Sequence, residues 1–146
     1  MATRSTATRH APGRALASVA AGLAFLTDAA YVAIILAQGD AALARVAAVA
    51  SCILAAALAA GAGGRADLPS AVRLPLLGGA AGGLLSLGVL GLFSIGLPLF
   101  VGGVLAVAAW VRAARSPGGT SQGTPIRSML ALLFGLALPV AAVALT

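Results

Sequence analysis

The chain has 146 residues, of which 61% are hydrophobic and 8% charged, and its mean hydropathy is +1.09. Soluble globular domains carry about 25% charged residues, so this composition excludes an ordinary soluble domain and indicates a polytopic membrane protein. The basic residues are nine arginines without a lysine, set against three aspartates.

The net charge of +6 does not indicate a nucleic-acid partner. The arginines form no compact patch with interleaved aromatic residues, which is the usual mark of nucleic-acid binding. They lie at the ends of apolar segments, so the partner they predict is a lipid bilayer with an anionic cytoplasmic leaflet. Arginine without lysine, in a chain rich in alanine and glycine, is typical of a GC-rich bacterium.

The first predicted membrane span covers residues 15–37 and follows a basic tail, residues 1–14. At about 1.5 Å per residue it is roughly 34 Å long, which suits a hydrocarbon core of about 30 Å. A cleaved signal peptide is the alternative. The run continues past Asp28 and is longer than the apolar region of about 7–15 residues in such peptides, which favours a membrane span.

The second and third spans follow from the loops that separate them. A short turn at residues 38–40 contains glycine, so the second span, residues 41–61, should return antiparallel. The sequence GAGGRADLPSAVR, residues 61–73, ends that helix and forms a charged loop. We expect Pro75 just inside the third helix, where a missing N–H has no cost.

No charged residue or histidine occurs from Leu74 to Val111. A single helix over this run would be roughly 57 Å long, so the chain must turn within it. The segment FSIGLP is the predicted turn, because Ser94 can accept a bond from a freed N–H, Gly96 can take backbone angles that other residues resist and Pro98 suits a first helical turn. The third span is then residues 74–93 and the fourth residues 97–111.

The remaining segments complete an all-α fold, a polytopic membrane helix bundle with about five transmembrane helices. Pro139 should kink the last span, residues 128–145. Four spans with a peripheral or re-entrant piece are the alternative. The predicted organisation is a basic cytoplasmic tail (1–14), a four-helix transmembrane core (15–112), a flexible cytoplasmic linker (113–127) and a C-terminal transmembrane helix (128–146).

The arginines predict the orientation, because short cytoplasmic loops carry an excess of positive charge. Five spans with a cytoplasmic N-terminus leave only Arg45 outside, and Trp110 fits an aromatic anchor at the cytoplasmic interface. The eight arginines on the cytoplasmic side are Arg4, Arg9, Arg14, Arg65, Arg73, Arg112, Arg115 and Arg127. The predicted localisation is therefore the cell membrane, as a multi-pass protein.

Asp28 lies near the middle of the first span, where an aspartate costs about 2.5–3.5 kcal/mol on insertion scales. We therefore expect it to face protein, protonated or hydrogen-bonded. The candidate contacts are Tyr31, three residues on, and Arg45, on the next helix; Ser51 and Ser86 are other donors. Three interpretations stay open: an ion-coupling carboxylate, a structural interhelical contact, or a shallower, hydrated aspartate.

Small residues recur every four positions in the third span and predict close helix packing. They form two stripes: Gly78, Gly82 and Ser86, and Gly79 and Gly83. Ala131 and Gly135 repeat the pattern in the last span. The stripes suit packing within the chain, a homo-oligomer, or contact with other membrane subunits. They do not form a phosphate loop, because no lysine or hydroxyl residue closes the GGAAGG segment.

The sequence lacks the residue groups that catalysis needs. It has no close carboxylate pair, no histidine in a span and no serine beside a base. His10 and Cys52 are each single, so we expect no metal, no disulfide and no cofactor. The sequence predicts a non-enzymatic small integral membrane protein, a helix-packing or accessory subunit of a membrane assembly; the alternative is a small ion-coupled transporter or channel that uses Asp28.

Overall fold

A computed structural model describes residues 13–39, 43–92, 96–116 and 124–145. Within these ranges the chain is all-α and contains no strand, which confirms the predicted fold class. The helices are α1 (Arg14–Gln38), α2 (Leu43–Gly63), α3 (Ser70–Leu90), α4 (Gly96–Ala114) and α5 (Thr124–Leu145). All five are long and apolar enough to cross a bilayer, so the protein is a multi-pass membrane protein.

Helices α3 and α5 begin earlier than the apolar runs predict. Helix α3 starts at Ser70, because extended backbone at Pro69 leads into it and the Pro69 carbonyl accepts 3.0 Å bonds from Val72 and Arg73. Pro75 is therefore the sixth residue of the helix rather than one at its start. Helix α5 starts at Thr124, since the next residue, a proline, lacks only an N–H that a first turn leaves unpaired.

The two flanking helices extend into the predicted linker, residues 113–127. Helix α4 continues to Ala114, and α5 includes residues 124–127 that the apolar pattern leaves out. Helices extend past the hydrocarbon run because backbone hydrogen bonding does not require apolar side chains in the interfacial layer.

The chain reverses direction between α3 and α4, inside the charge-free run. The Gly96 N–H donates to the Gly91 carbonyl across this turn, at 2.7 Å. Beyond the turn the two helices pack antiparallel and very closely: a Cβ on Gly88 would lie 2.6 Å from the Phe100 nitrogen, and one on Gly103 would lie 2.8 Å from Leu85. Ser94 itself, with residues 93 and 95, lies outside the described residues.

Helices α1 to α4 form a four-helix bundle in chain order, and α5 packs on its outside. Helix α1 contacts α2 and α4, while α3 contacts α2, α4 and α5. The α3–α5 pair has the most extensive contact, and α5 touches α2 only slightly. Helix α3 is consequently the most buried of the five spans, with lipid-facing surface mainly on the others.

The bundle interior consists of three apolar layers made mostly of alanine and leucine. These clusters are Ala17, Leu74, Leu77, Ala109 and Ala113 near one end; Ala20, Ala81 and Ala106 in the middle; and Ala24, Ile53, Ala56, Ala57, Leu84, Leu87 and Leu99 toward the other end. Alanine at so many facing positions brings the helix backbones close together, which is the usual packing of membrane helices.

Most arginines lie at one end of the bundle. The starts of α1, α3 and α5 meet the ends of α2 and α4 there, since a Cβ on Gly64 would contact Ala17 and one on Gly78 would contact Ser128. Of the arginines in the described segments, Arg14, Arg65, Arg73, Arg112, Arg115 and Arg127 are at this arginine-rich end and Arg45 is at the opposite one. Arg4 and Arg9 lie outside the described residues.

Candidate functional site

Asp28 lies at mid-depth on α1, at the boundary between the bundle interior and the lipid-facing surface. Its neighbours Ala24 and Thr27 are buried, whereas Ala29 and Ala30 are exposed. The carboxylate is half-buried, and its Oδ1 oxygen is screened from solvent without a hydrogen-bond partner among the described residues. A screened oxygen without a donor is unfavourable by several kcal/mol in hydrocarbon.

Arg45 does not pair with Asp28, and the helix register explains why. A Cβ on Gly64 would lie 3.1 Å from the Ala17 Cβ, and one on Gly61 would lie 3.7 Å from the Ala21 Cβ. Continuing this antiparallel register places Arg45 level with Leu36, eight residues and about 12 Å beyond Asp28. Arg45 is exposed at the opposite end of the bundle.

Tyr31 lies on the inner side of α1 and does not satisfy the Asp28 oxygen either. It lines a cavity of about 180 Å³ toward the Arg45 end, together with Val49, Ile53, Leu87, Leu90, Gly91 and Leu99. Ser51 is exposed, and the Ser86 hydroxyl donates to the Gly83 carbonyl at 3.0 Å. None of the four donors suggested by the sequence is therefore bonded to Oδ1.

The polar side chains buried in the bundle bond within their own helices. Thr27 donates to the Leu23 carbonyl at 2.8 Å, and Ser128 donates to the Pro125 carbonyl at 2.9 Å. With the Ser86 bond, this leaves the three apolar core layers without a polar path between the described helices.

The glycine stripes of α3 face α5, which runs parallel to α3. A Cβ on Gly78 would lie 2.6 Å from the Ser128 carbonyl oxygen, and one on Gly82 would collide with that of Leu132. The same is true in reverse, because a Cβ on Gly135 would collide with the Gly79 carbonyl oxygen. The two helix backbones are in direct contact here, which only glycine allows. We call the contact made by Gly78, Gly82 and Gly135 the glycine seam.

The second stripe lies beside the glycine seam and faces α2 as well. A Cβ on Gly83 would lie 3.4 Å from the Ala56 Cβ, and one on Gly79 would have an ordinary 3.6 Å contact with the Ala131 oxygen. Both glycines line a groove of about 270 Å³ between α2, α3 and α5, which also includes half-buried Cys52 and the α5 residue Pro139. Ser86, at the end of the first stripe, is buried.

The loop between α2 and α3 carries an ion pair that the sequence analysis did not identify. The Arg65 Nε and Nη2 groups donate to the two Asp67 carboxylate oxygens at 3.2 and 3.0 Å. This bond raises the pKa of Arg65 and lowers that of Asp67, and Arg14 also lowers the pKa of Asp67 electrostatically. The R-x-D spacing in a short loop is the sequence signal for the pair.

Trp110 is half-buried against the core layer at the arginine-rich end. Its depth agrees with the predicted interfacial position, but its indole Nε1 is screened and has no hydrogen-bond partner in the described ranges. Trp110 differs in this from most buried tryptophans, whose N–H finds a hydrogen-bond partner.

The described residues contain no cluster of three or more histidine, cysteine, aspartate or glutamate side chains that suits a metal ion. His10 lies outside the described ranges. No protein-family model, curated protein or solved structure matches the chain.

Proposed function

We propose that this small integral membrane protein is a non-enzymatic accessory subunit of a membrane assembly, and that α1 docks a transmembrane helix of its partner beside Asp28. The single observation that carries this proposal is the screened Oδ1 oxygen without a donor among the described residues. Asp28 itself is only half-buried and lies at the bundle surface, so a turn of its side chain presents the carboxylate to a donor on a second helix.

The energetics favour a helix partner over an isolated chain. A polar group left unpaired in hydrocarbon costs several kcal/mol, whereas an interhelical hydrogen bond in a membrane contributes about 0.6 and up to about 1.7 kcal/mol. Pairing Asp28 across an interface therefore removes a larger penalty than the bond alone suggests. Exposed Phe25 and Leu26 lie within three residues of Asp28 and supply apolar contact area on the same helix.

A set of three variants tests the proposal by the mass of the purified particle. The chain is extracted from its native membranes in a mild detergent and measured by native mass spectrometry. We expect wild type and Asp28→Asn to carry a stoichiometric partner, since asparagine keeps an acceptor and adds a donor. We expect Asp28→Leu to be a monomer.

Asp67→Asn is the matched control, because it makes the same chemical change at an exposed loop carboxylate. It should leave the bound protein partner unchanged. A monomer for every variant, or a partner retained by Asp28→Leu, would contradict the proposal.

A second candidate function is a small ion-coupled transporter. It is favoured by the cavity beside Tyr31, which lies one helical turn beyond Asp28 toward the Arg45 end. Proton flux into liposomes, followed with an enclosed pH-sensitive dye, distinguishes the two. Flux that Asp28→Asn abolishes supports transport, whereas equal flux for wild type, variant and empty liposomes excludes it.

A further inference from the structure

A second groove, on the outer surface between α1 and α2, has a charged end, unlike the two cavities described above. Its volume is about 560 Å³, and its lining residues are Ala21, Gly22, Phe25, Ala57, Leu58, Gly61, Ala62 and Arg65. Arg65 is the only charged member of this set. We call this feature the α1–α2 groove.

Small residues form the floor of the groove, and large residues form its sides. A Cβ on Gly22 would meet nothing within 4 Å, so the groove is open at this position because glycine occupies it. Phe25 and Leu58 are more than half exposed and border the open space. The floor is apolar along its length, which suits a hydrocarbon chain.

The groove lies within the leaflet at the arginine-rich end of the bundle. Its lining on α2 and the loop after it runs from Ala57 to Arg65, eight residues or about 12 Å. This fits within half of a hydrocarbon core of about 30 Å. Arg65 is two residues beyond the end of α2 and so lies at headgroup depth.

The charges at this end favour an anion. Arg65 is about two-thirds exposed, and Asp67 accepts bonds from two of its nitrogens. A guanidinium has five N–H donors, so others remain for a ligand. With Asp67 ionised and Arg14 acting on the same carboxylate, the three side chains have a net charge of +1.

We propose that the α1–α2 groove binds one anionic phospholipid, with an acyl chain along Ala21, Gly22 and Gly61 and the phosphate at Arg65 and Arg14. Guanidinium groups recognise phosphate through charge-assisted hydrogen bonds. This site shares Phe25 with the partner contact proposed at Asp28 but does not depend on that contact, and its test uses the isolated chain.

Three variants test the site by native mass spectrometry of purified protein titrated with phosphatidylglycerol or phosphatidylcholine. We expect wild type to bind one phosphatidylglycerol and to prefer it to phosphatidylcholine. Arg65→Gln should lower the affinity for phosphatidylglycerol about fivefold, because about 1 kcal/mol per arginine corresponds to that ratio. Gly22→Leu should lower the affinity for both lipids at least tenfold, since the leucine side chain fills the open space.

Asp67→Asn tests the proposal by whether lipid binding becomes stronger or weaker. It removes the negative charge beside Arg65 and should strengthen phosphatidylglycerol binding about fivefold, by the same charge argument. If the Arg65–Asp67 pair only shapes the loop, Asp67→Asn should weaken binding as Arg65→Gln does.

Matched controls are Arg127→Gln, an exposed arginine at the same end of the bundle, and Ala29→Leu, an exposed position on α1 outside the groove. Neither should change lipid binding. Equal binding of the two lipids would overturn the proposal, and so would unchanged lipid binding in Gly22→Leu. The proposal would also fail if the groove of wild type held a protein helix rather than a lipid and Gly22→Leu released that helix.

Discussion

The screened oxygen of Asp28 makes no hydrogen bond within the described residues. Replacing Asp28 should therefore not destabilise the isolated chain. In the isolated, lipid-bound protein, Asp28→Leu should leave the free energy of unfolding unchanged or raise it, because leucine inserts more favourably than aspartate. Reversible unfolding by SDS in mixed micelles, followed by circular dichroism, measures this.

Ala24→Leu is the comparison that shows whether the unfolding measurement is sensitive. Ala24 is fully buried in a core layer, and overpacking there should cost about 1–3 kcal/mol. A loss of more than about 1 kcal/mol in Asp28→Leu itself would indicate a bond within the chain, and the proposed partner contact would lose its basis.

At this scale the sequence predicts which residue matters but not what it contacts. An aspartate in the middle of an apolar span stands out from its insertion cost alone. Whether Arg45 or Tyr31 reaches it depends on helix register and rotation, which the spacing along one helix does not contain. The Arg65–Asp67 pair is the opposite case, since two residues in one loop can be paired from their spacing.

The glycine seam gives the sharpest prediction for the helices. Gly82→Ala should reduce the free energy of unfolding by about 1–3 kcal/mol, because the added Cβ collides with the Leu132 carbonyl and α5 must move away. Gly79→Ala is the matched control on the same helix, with an ordinary 3.6 Å contact. It should be neutral or stabilising by up to about 1 kcal/mol, the difference in helix propensity.

The same SDS unfolding measurement applies to both glycine variants. Equal losses for Gly82→Ala and Gly79→Ala would show that the close contact at Gly82 has no energetic role. If neither variant lowers the free energy of unfolding, α5 does not pack against α3 at these glycines in the folded protein.

The spacing of small residues predicts close packing in the third span, but not the helix that fills it. Several spans carry small residues at intervals of four, so the sequence does not distinguish a neighbour from a second copy of the chain. In the structure the neighbour is α5, a parallel helix that lies more than 30 residues away in sequence. Helix ends were also less predictable than helix existence, since α3 begins directly after Pro69 and α5 begins at Thr124, both outside the apolar runs.

For the whole molecule, the orientation is testable by labelling. In a Cys52→Ala background, single cysteines replace Ala66, Gln38 or Leu92, all of which are exposed. A membrane-impermeant maleimide applied to intact cells should label the cysteines at 38 and 92, and should label the one at 66 only after the cells are opened. This outcome is expected from the prediction that the arginine-rich end lies in the cytoplasm.

Labelling of the cysteines at 66 and 92 from the same side would exclude an α3 that crosses the bilayer. The number of spans was predictable because a charge-free run of this length exceeds the bilayer thickness and must turn. The arrangement of the five helices was not, because lipid and protein are equally apolar neighbours and hydropathy does not separate them.

The glycine seam also limits how this protein can change over time. The outward side chains of α5, such as Leu133 and Phe134, are exposed and can be exchanged for other apolar residues with little effect. Gly82 and Gly135 have no smaller residue available to replace them. Among related sequences we therefore expect drift on the lipid-facing side of α5 and near-invariance along the line where it rests on α3.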